Sequence, residues 1–166
     1  MKDPFFEGTI ILLCQFDEEG ALGIVVNREC PVSIGDVLEQ TQLPPVEHGQ
    51  KKTLWGGPVG GGACFVMWHG PIPDGQGWTI DSTFAISPSI DQLRDLINEE
   101  IAFEIAVGYA GWGAGQLDDE IAKGSWLYSD IPIKELFSFP ITARYDSVLS
   151  NMGLTRNAIL MTPINE

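Results

Sequence analysis

Apolar positions follow two rhythms along this chain. Gly8 to Gln15 and Leu22 to Asn27 are apolar, β-branched runs, the pattern of strands. Asp17-Glu18-Glu19-Gly20 lies between them, with a glycine free to take positive φ, so the two runs predict a β-hairpin. Ser33 followed by Asp36 resembles a capping box and predicts a short helix, Ile34 to Glu39, ahead of the proline-bearing loop Gln42 to Gln50. Lys52 to Trp55 and Ala63 to Trp68 read as strands on either side of a glycine loop. Trp78 to Ile80 and Thr83 to Ile86 read as a further pair. Ser87 as N-cap and Pro88 at the first helical position open a helix with Ile90, Leu93, Leu96 and Ile97 along one side. Phe103 to Val107 is a short buried strand, and Leu117 and Ile121 share one face of the acidic helix that follows it. Asp130 is placed to cap a short turn. Pro140 begins the last helix, with Ile141, Tyr145, Val148, Leu149 and Met152 inward and Gly153 as its stop. Strands come first and then mix with helices, the order of an α+β domain.

Between strand and acidic helix the chain reads GYAGWGAGQL, Gly108 to Leu117. Trp112 is flanked by Gly111 and Gly113, at least one of which is expected to need positive φ. Tyr109 precedes it, and Gln116 stands four residues on. An aromatic beside an amide is a recognition surface if it faces water and a core plug if it faces inward, and in a chain with five Trp the plug is favoured. Neither glycine loop suits a phosphate. Trp55 to Gly62 lacks the lysine and hydroxyl of a P-loop and leads into a strand, which points to a loop or bulge. Gly111 to Gly115 does precede a helix, but Asp118, Asp119 and Glu120 fill its first turn and would repel an anion.

Composition narrows the function. A chain of 166 residues, 44% hydrophobic and 19% charged, fits one domain that buries about 68 to 70% of its unfolded surface. The formal net charge is −14, and it is spread: −7 over residues 1 to 50, −3 over 51 to 103 and −4 over 104 to 166. Nucleic-acid binding draws its affinity from clustered Lys and Arg, and only Lys51 and Lys52 are adjacent here, so direct nucleic-acid contact is not expected. Anionic membranes are disfavoured for the same reason, while a basic protein partner is permitted. No apolar run reaches a membrane span, and MKDPFFEG has no leader character. Cys14, Cys30 and Cys64 are odd in number and scattered, which suits free thiols in a cytoplasmic protein.

Reaction motifs are missing: there is no GxSxG, HExxH or CxxC,. Cys64 and His69, five apart on one strand, fall on opposite faces and cannot act as nucleophile and base. His69 beside Gly70 reads as a hydrogen-bonding residue at a strand end, and Asp118, Asp119 and Glu120 as a solvated helix start. No cofactor and no metal site is expected.

Four blocks carry a family resemblance: FFEGTIILLCQFDEEGALGIVVNR (Phe5 to Arg28), WGGPV (Trp55 to Val59), FVMWH (Phe65 to His69) and GYAGWGAGQL with its acidic helix. Together they resemble the AlgH/YqgE-like family of bacterial proteins, which has no established biochemical activity. The chain differs in Gly60 to Gly62, in Asp118 after GQL, and in ending on MTPINE. The resemblance implies a mixed, strongly bent β-sheet forming a pseudo-barrel with flanking helices. It also implies a binding or regulatory role, exerted through a protein partner if transcription is involved. Asn27, Arg28, His69, Tyr109, Trp112 and Gln116 are the candidate ligand- or partner-binding residues. The alternative is a small-molecule binder or enzyme with a pocket near Asn27, His69 and Trp112.

Overall fold

Eight strands pair into one mixed sheet that curls until it nearly closes, with five helices packed around it, in a computed structural model that describes residues 7–154. The strands are β1 (Ile11–Asp17), β2 (Gly20–Val25), β3 (Glu29–Ser33), β4 (Lys52–Trp55), β5 (Val59–His69), β6 (Trp78–Ile80), β7 (Phe84–Ser87) and β8 (Phe103–Gly113). The helices are α1 (Ile34–Gln40), α2 (Leu93–Asn98), α3 (Gln116–Ala122), α4 (Ile133–Ser138) and α5 (Arg144–Asn151). The order is β1-β2-β8-β5-β7-β6, with β4 joining β8 in parallel and carrying β3. β8 is therefore the hub. One of its edges pairs with β5, while the other serves β4 at Ala106–Val107 and β2 at Ala110–Gly113.

Strand alternation sorts the apolar residues into three layers. Leu12, Ile24, Phe65, Met67 and Ala106 fill the inside of the curl with Leu136 and Val148 from the helices. Val66, Trp68, Phe103 and Ile105 point the other way, under α1 and α2. Ala110 and Trp112 form a third, small layer with Leu117 of α3. Along β8 the alternation breaks once: Ala106 faces inward, but so does Tyr109, and Ala110 and Trp112 face outward. A single residue of slip reverses every following side chain. The slip sits at Gly108, which holds φ +80. Opposite it, five residue steps of β5 from Val59 to Cys64 span only two of β8, so Gly60 to Gly62 form a bulge,.

The turn after β4 is pressed against that slip. Gly56 N donates to Val107 O and Val25 N to Gly56 O, each at 2.8 Å. A Cβ on Gly57, itself at φ +152, would stand 2.1 Å from Tyr109 C, and one on Gly108 would stand 2.4 Å from Gly57 O. The WGGPV and GYAGWG blocks are thus two sides of one backbone crossing.

The hairpin and the capping box form as read, Ser33 N donating to Asp36 Oδ2 at 3.0 Å and Asp36 N to Ser33 Oγ at 3.1 Å. Four expectations are corrected. β8 runs six residues beyond Val107, because β2 supplies an edge that no local pattern announces. Gly111 and Gly113 lie outside the positive-φ region, which is occupied instead by Gly108 and Gly115. Ser87 ends β7 and accepts from Ser89 N, so Ser89 is the N-cap, and α2 is entered through a 3₁₀ turn at Ile90–Gln92. Asp130 is not what starts the helix after it: Ile133 N of α4 donates to Asp81 Oδ2 at 3.1 Å, from the turn between β6 and β7. Pro140 leads into a 3₁₀ turn at Ile141–Ala143 and then α5, and Gly153 takes φ +76 as its stop. The MTPINE tail and the first six residues lie outside the described residues.

Two predictions follow from this packing. Gly57→Ala and Gly108→Ala should each cost at least about 1 to 3 kcal/mol, several degrees in Tm by thermal melt. Gly111→Ala and Gly113→Ala should melt like wild type, since the nearest atoms to their added Cβ stand at 3.6 and 3.9 Å. The second concerns His48, whose Nε2 is buried without a hydrogen-bond partner and whose ring stands edge-on to Phe103 at 4.8 Å. Burial, aided by the Lys51 charge, holds this imidazole below its usual pKa. The unfolded chain then takes up the proton first, so stability is full above about pH 6.5 and falls with pH below it. Tm should drop between about pH 7 and pH 5.5, before the carboxylates titrate, and His48→Gln should flatten that drop.

Candidate functional site

Asn27 and Arg28 follow β2 and hold the segment that leads into β1. Asn27 Oδ1 accepts from Ile10 N at 2.7 Å, and its Nδ2 donates to Gly8 O at 2.9 Å. The Arg28 guanidinium donates to Glu7 O at 2.6 Å and lies 5.6 Å from the Trp55 ring centre. Both side chains are engaged in keeping the first strand against the sheet.

Trp112 is buried, 7% exposed, and Gln116 and Glu120 of α3 bind the backbone and the indole around it. Gly113 N donates to Gln116 Oε1 at 3.0 Å, and Gln116 Nε2 donates to Glu120 Oε2 at 3.0 Å. Glu120 Oε1 accepts two indole N–H groups, from Trp112 at 3.3 Å and Trp126 at 2.9 Å. The two indoles meet edge to face at 5.9 Å. Glu120 thus clasps α3 and the chain beyond it onto the outer face of β2 and β8. The sequence reading took Glu120 for part of a solvated helix start. Its spacing from Gln116, one helical turn, and the Trp six residues on were the available signs.

Tyr109 is half-buried against Phe65, the ring centres 5.9 Å apart at 70°. His69 is exposed at the end of β5, edge-on to Phe84 at 4.9 Å. The pocket expected between Asn27, His69 and Trp112 does not form. Trp112 pairs with Ala21 at the far end of β2 from Asn27, six residues or about 20 Å of strand. Trp68 pairs with Phe103 at the start of β8, leaving His69 about 30 Å of strand from Trp112. Strand register, which the local pattern does not reveal, sets Trp112 apart from the other two.

A different set of polar groups converges where α5 meets the end of the curl. Arg144 is 2% exposed, donating from Nε to Phe139 O at 3.0 Å and from Nη1 to Val26 O at 2.7 Å. Nη2 stands 3.4 Å from Glu104 Oε2, and the guanidinium lies 4.5 Å from the Phe137 ring centre. Lys51 Nζ approaches Glu104 Oε1 at 3.5 Å. Burial works against the Arg144 charge, and Glu104 sustains it. Beside this network opens a cleft of 480 Å³ lined by Glu29, Lys51, Phe137, Phe139, Ile141 and Arg144, among others. Ser138 and Thr142 also line it, so its walls are about as polar as apolar, and a concave site that mixes the two can hold a small molecule. No lining residue supplies a nucleophile paired with a base. Sequence reasoning missed Arg144 because a charged residue at the head of an amphipathic helix reads as solvated.

The three cysteines are free, and burial pushes the Cys14 thiol up to about 12 and the Cys64 thiol above its usual value, which makes both poor nucleophiles. Among the described residues no group of three His, Cys, Asp or Glu side chains is placed to hold a metal ion, and no helix is long and apolar enough to cross a membrane.

The clasp makes a graded prediction. Trp112→Ala should destabilise by about 3 to 5 kcal/mol through the cavity it leaves. Glu120→Ala should cost about 1 to 3 kcal/mol by stranding two indole donors. Gln116→Ala, at an exposed position, should cost less than either in urea unfolding.

Comparison with known proteins agrees with this architecture. The AlgH-like family model matches residues 1–157. The chain is 35% identical over 165 residues to a UPF0301 protein of Photobacterium profundum, covering 93% of this chain and 87% of that one. It is 34% identical over 158 residues to a UPF0301 protein of Rhodospirillum rubrum, covering 93% and 82%. The solution structure of the AlgH protein from Pseudomonas aeruginosa superposes with a TM-score of 0.76 at 30% identity, covering 100% of this chain and 89% of that one. The same fold, at 18% identity and a TM-score of 0.59 over 74% of this chain and 65% of the other, is seen in a protein from Corynebacterium diphtheriae. With the family model spanning nearly its whole length and relatives about one-third identical over more than nine-tenths of it, this chain belongs to the AlgH-like family.

Proposed function

We propose that this chain is a non-enzymatic binding protein that acts in the cytoplasm through a protein partner, in a regulatory role, without touching nucleic acid itself. One observation carries the reading: four of the six candidate side chains make internal hydrogen bonds, yet large apolar side chains near the Trp112 clasp stay exposed. They are Phe16 (46% exposed), Ile121 (44%), Leu127 (44%) and Tyr128 (84%). Exposed apolar groups gathered in one region mark interaction sites. The net charge of −14 supports a protein rather than a nucleic-acid partner,, and the free cysteines suit a reducing compartment,.

A second reading, a small-molecule binder, draws on the cleft beside Lys51 and Arg144. It differs from the first in where a ligand would act.

Affinity capture from the source lysate, followed by reconstitution with the purified partner, tests the leading reading. The reconstituted complex should form at micromolar concentration or below (on the order of −8 kcal/mol), and the chain alone should not retard duplex DNA at physiological salt. Submicromolar DNA binding that weakens steeply as salt rises would overturn it.

A further inference from the structure

We infer that the region around the Trp112–Trp126 clasp docks a protein segment carrying apolar side chains interleaved with lysines or arginines; this rests on the partner reading above. The placement comes from register. Phe16 pairs with Ala21, and Ala21 with Trp112, so the three stand in one row on one face of the sheet, Phe16 about 10 Å from Trp112. Trp126 stands edge to face with Trp112, and Leu127 and Tyr128 follow it directly. Ile121 follows Glu120, whose carboxylate holds both indoles. The four exposed residues are therefore tied to one clasp, and none belongs to the layer of Ala110, Trp112 and Leu117 beneath it. Tyr128, 84% exposed, is a large rigid aromatic of the kind that anchors interfaces.

Charge selects the occupant. Asp17, Glu18 and Glu19 form the hairpin end whose Gly20 pairs with Gly113, and Asp118, Asp119 and Glu120 begin α3 a few residues beyond Gly113. Asp130 lies two residues past Tyr128. Against these seven carboxylates the stretches 16–21 and 114–131 contain one base, Lys123. The ion pairs formed with Lys51 and Arg144 both use Glu104, at the other end of β8. An apolar surface set among so many acids favours a cationic, apolar segment and repels anionic membranes and nucleic acid. It also disfavours a second copy of this chain, since a two-fold interface would bring the same acidic surface against itself.

The test is a ¹H–¹⁵N NMR titration of the full chain with an amphipathic Leu/Lys peptide as the probe, alongside Ser/Lys and Leu/Glu peptides of equal length. Saturable shifts are expected at residues 16–21 and 117–128 with Leu/Lys, binding at least about tenfold weaker with Ser/Lys, and none with Leu/Glu. Phe16→Ser with Tyr128→Ser should weaken Leu/Lys binding at least about tenfold with Tm unchanged, because both side chains are exposed. Asp118→Asn with Asp119→Asn should weaken it and flatten its salt dependence, whereas Asp74→Asn with Glu99→Gln, exposed acids outside both stretches, should do neither. Failure of Leu/Lys to bind, shifts centred on Lys51 and Arg144, equal loss with the Asp74 and Glu99 control, or equal binding of Leu/Glu would each overturn the inference. So would a concentration-dependent dimer in sedimentation that Tyr128→Ser abolishes. The partner reading stands apart from these outcomes: it survives if wild type and the Phe16/Tyr128 variant bind the same reconstituted partner equally, and falls if wild type binds none.

Discussion

The close crossing of two backbones, Gly56–Gly57 over Gly108–Tyr109, is the constraint on which the remaining architecture depends. It leaves no room for a Cβ at Gly57 or Gly108, and the positive φ at Gly108 reverses the facing of every β8 residue beyond it. Without that reversal Ala110 and Trp112 would share the inward face of Ala106 and crowd the interior. With it, one strand lines the inside of the curl along part of its length and supplies an outer layer along the rest. The crossing also lets β8 exchange β4 for β2 along one edge, which bends the sheet toward closure.

Once Trp112 is turned outward it must be covered, and α3 covers it. Glu120 makes this a polar as well as an apolar contact, since one carboxylate accepts from two indoles and from Gln116. A buried indole N–H without an acceptor is costly, so the acid is part of the tryptophan's burial. At the other end of β8, Arg144 plays a similar part, drawing Val26 O, Phe139 O and Glu104 together. An arginine suits that point because its planar fork reaches several acceptors at once, which a lysine cannot do.

These two polar knots have opposite surroundings. Near Arg144 and Lys51, positive and negative groups balance beside a cleft of mixed polar and apolar lining. Around the clasp, acids accumulate beside exposed aromatic and aliphatic side chains. The net charge of −14 is therefore not a uniform coat. Seven carboxylates lie in residues 16–21 and 114–131 against one base, Lys123, and the same stretches carry Phe16, Ile121, Leu127 and Tyr128.

Local chemistry was legible in the sequence wherever a short-range rule decides the structure. The β1–β2 hairpin, the Ser33–Asp36 capping box, the glycine bulge before Ala63, the Gly153 stop and the burial of Trp112 all follow from turn geometry, capping and hydrophobicity within a few residues. The family blocks extended this to the pseudo-barrel. What the sequence did not reveal depends on pairing between distant segments: β8 continuing through Trp112 because β2 offers it an edge, Gly108 rather than Gly111 or Gly113 taking positive φ because Gly57 lies against it, and Asp81 capping α4. Asn27, His69 and Trp112 stand out as polar or aromatic residues at segment ends, but only register sets Trp112 apart from the other two. Arg144 does not, because only the curled sheet brings Val26 O and Glu104 to the helix that carries it. Composition and local pattern select which elements form, while the contacts between elements select which side chains meet. A single chain does not display those contacts, because they join residues far apart in sequence.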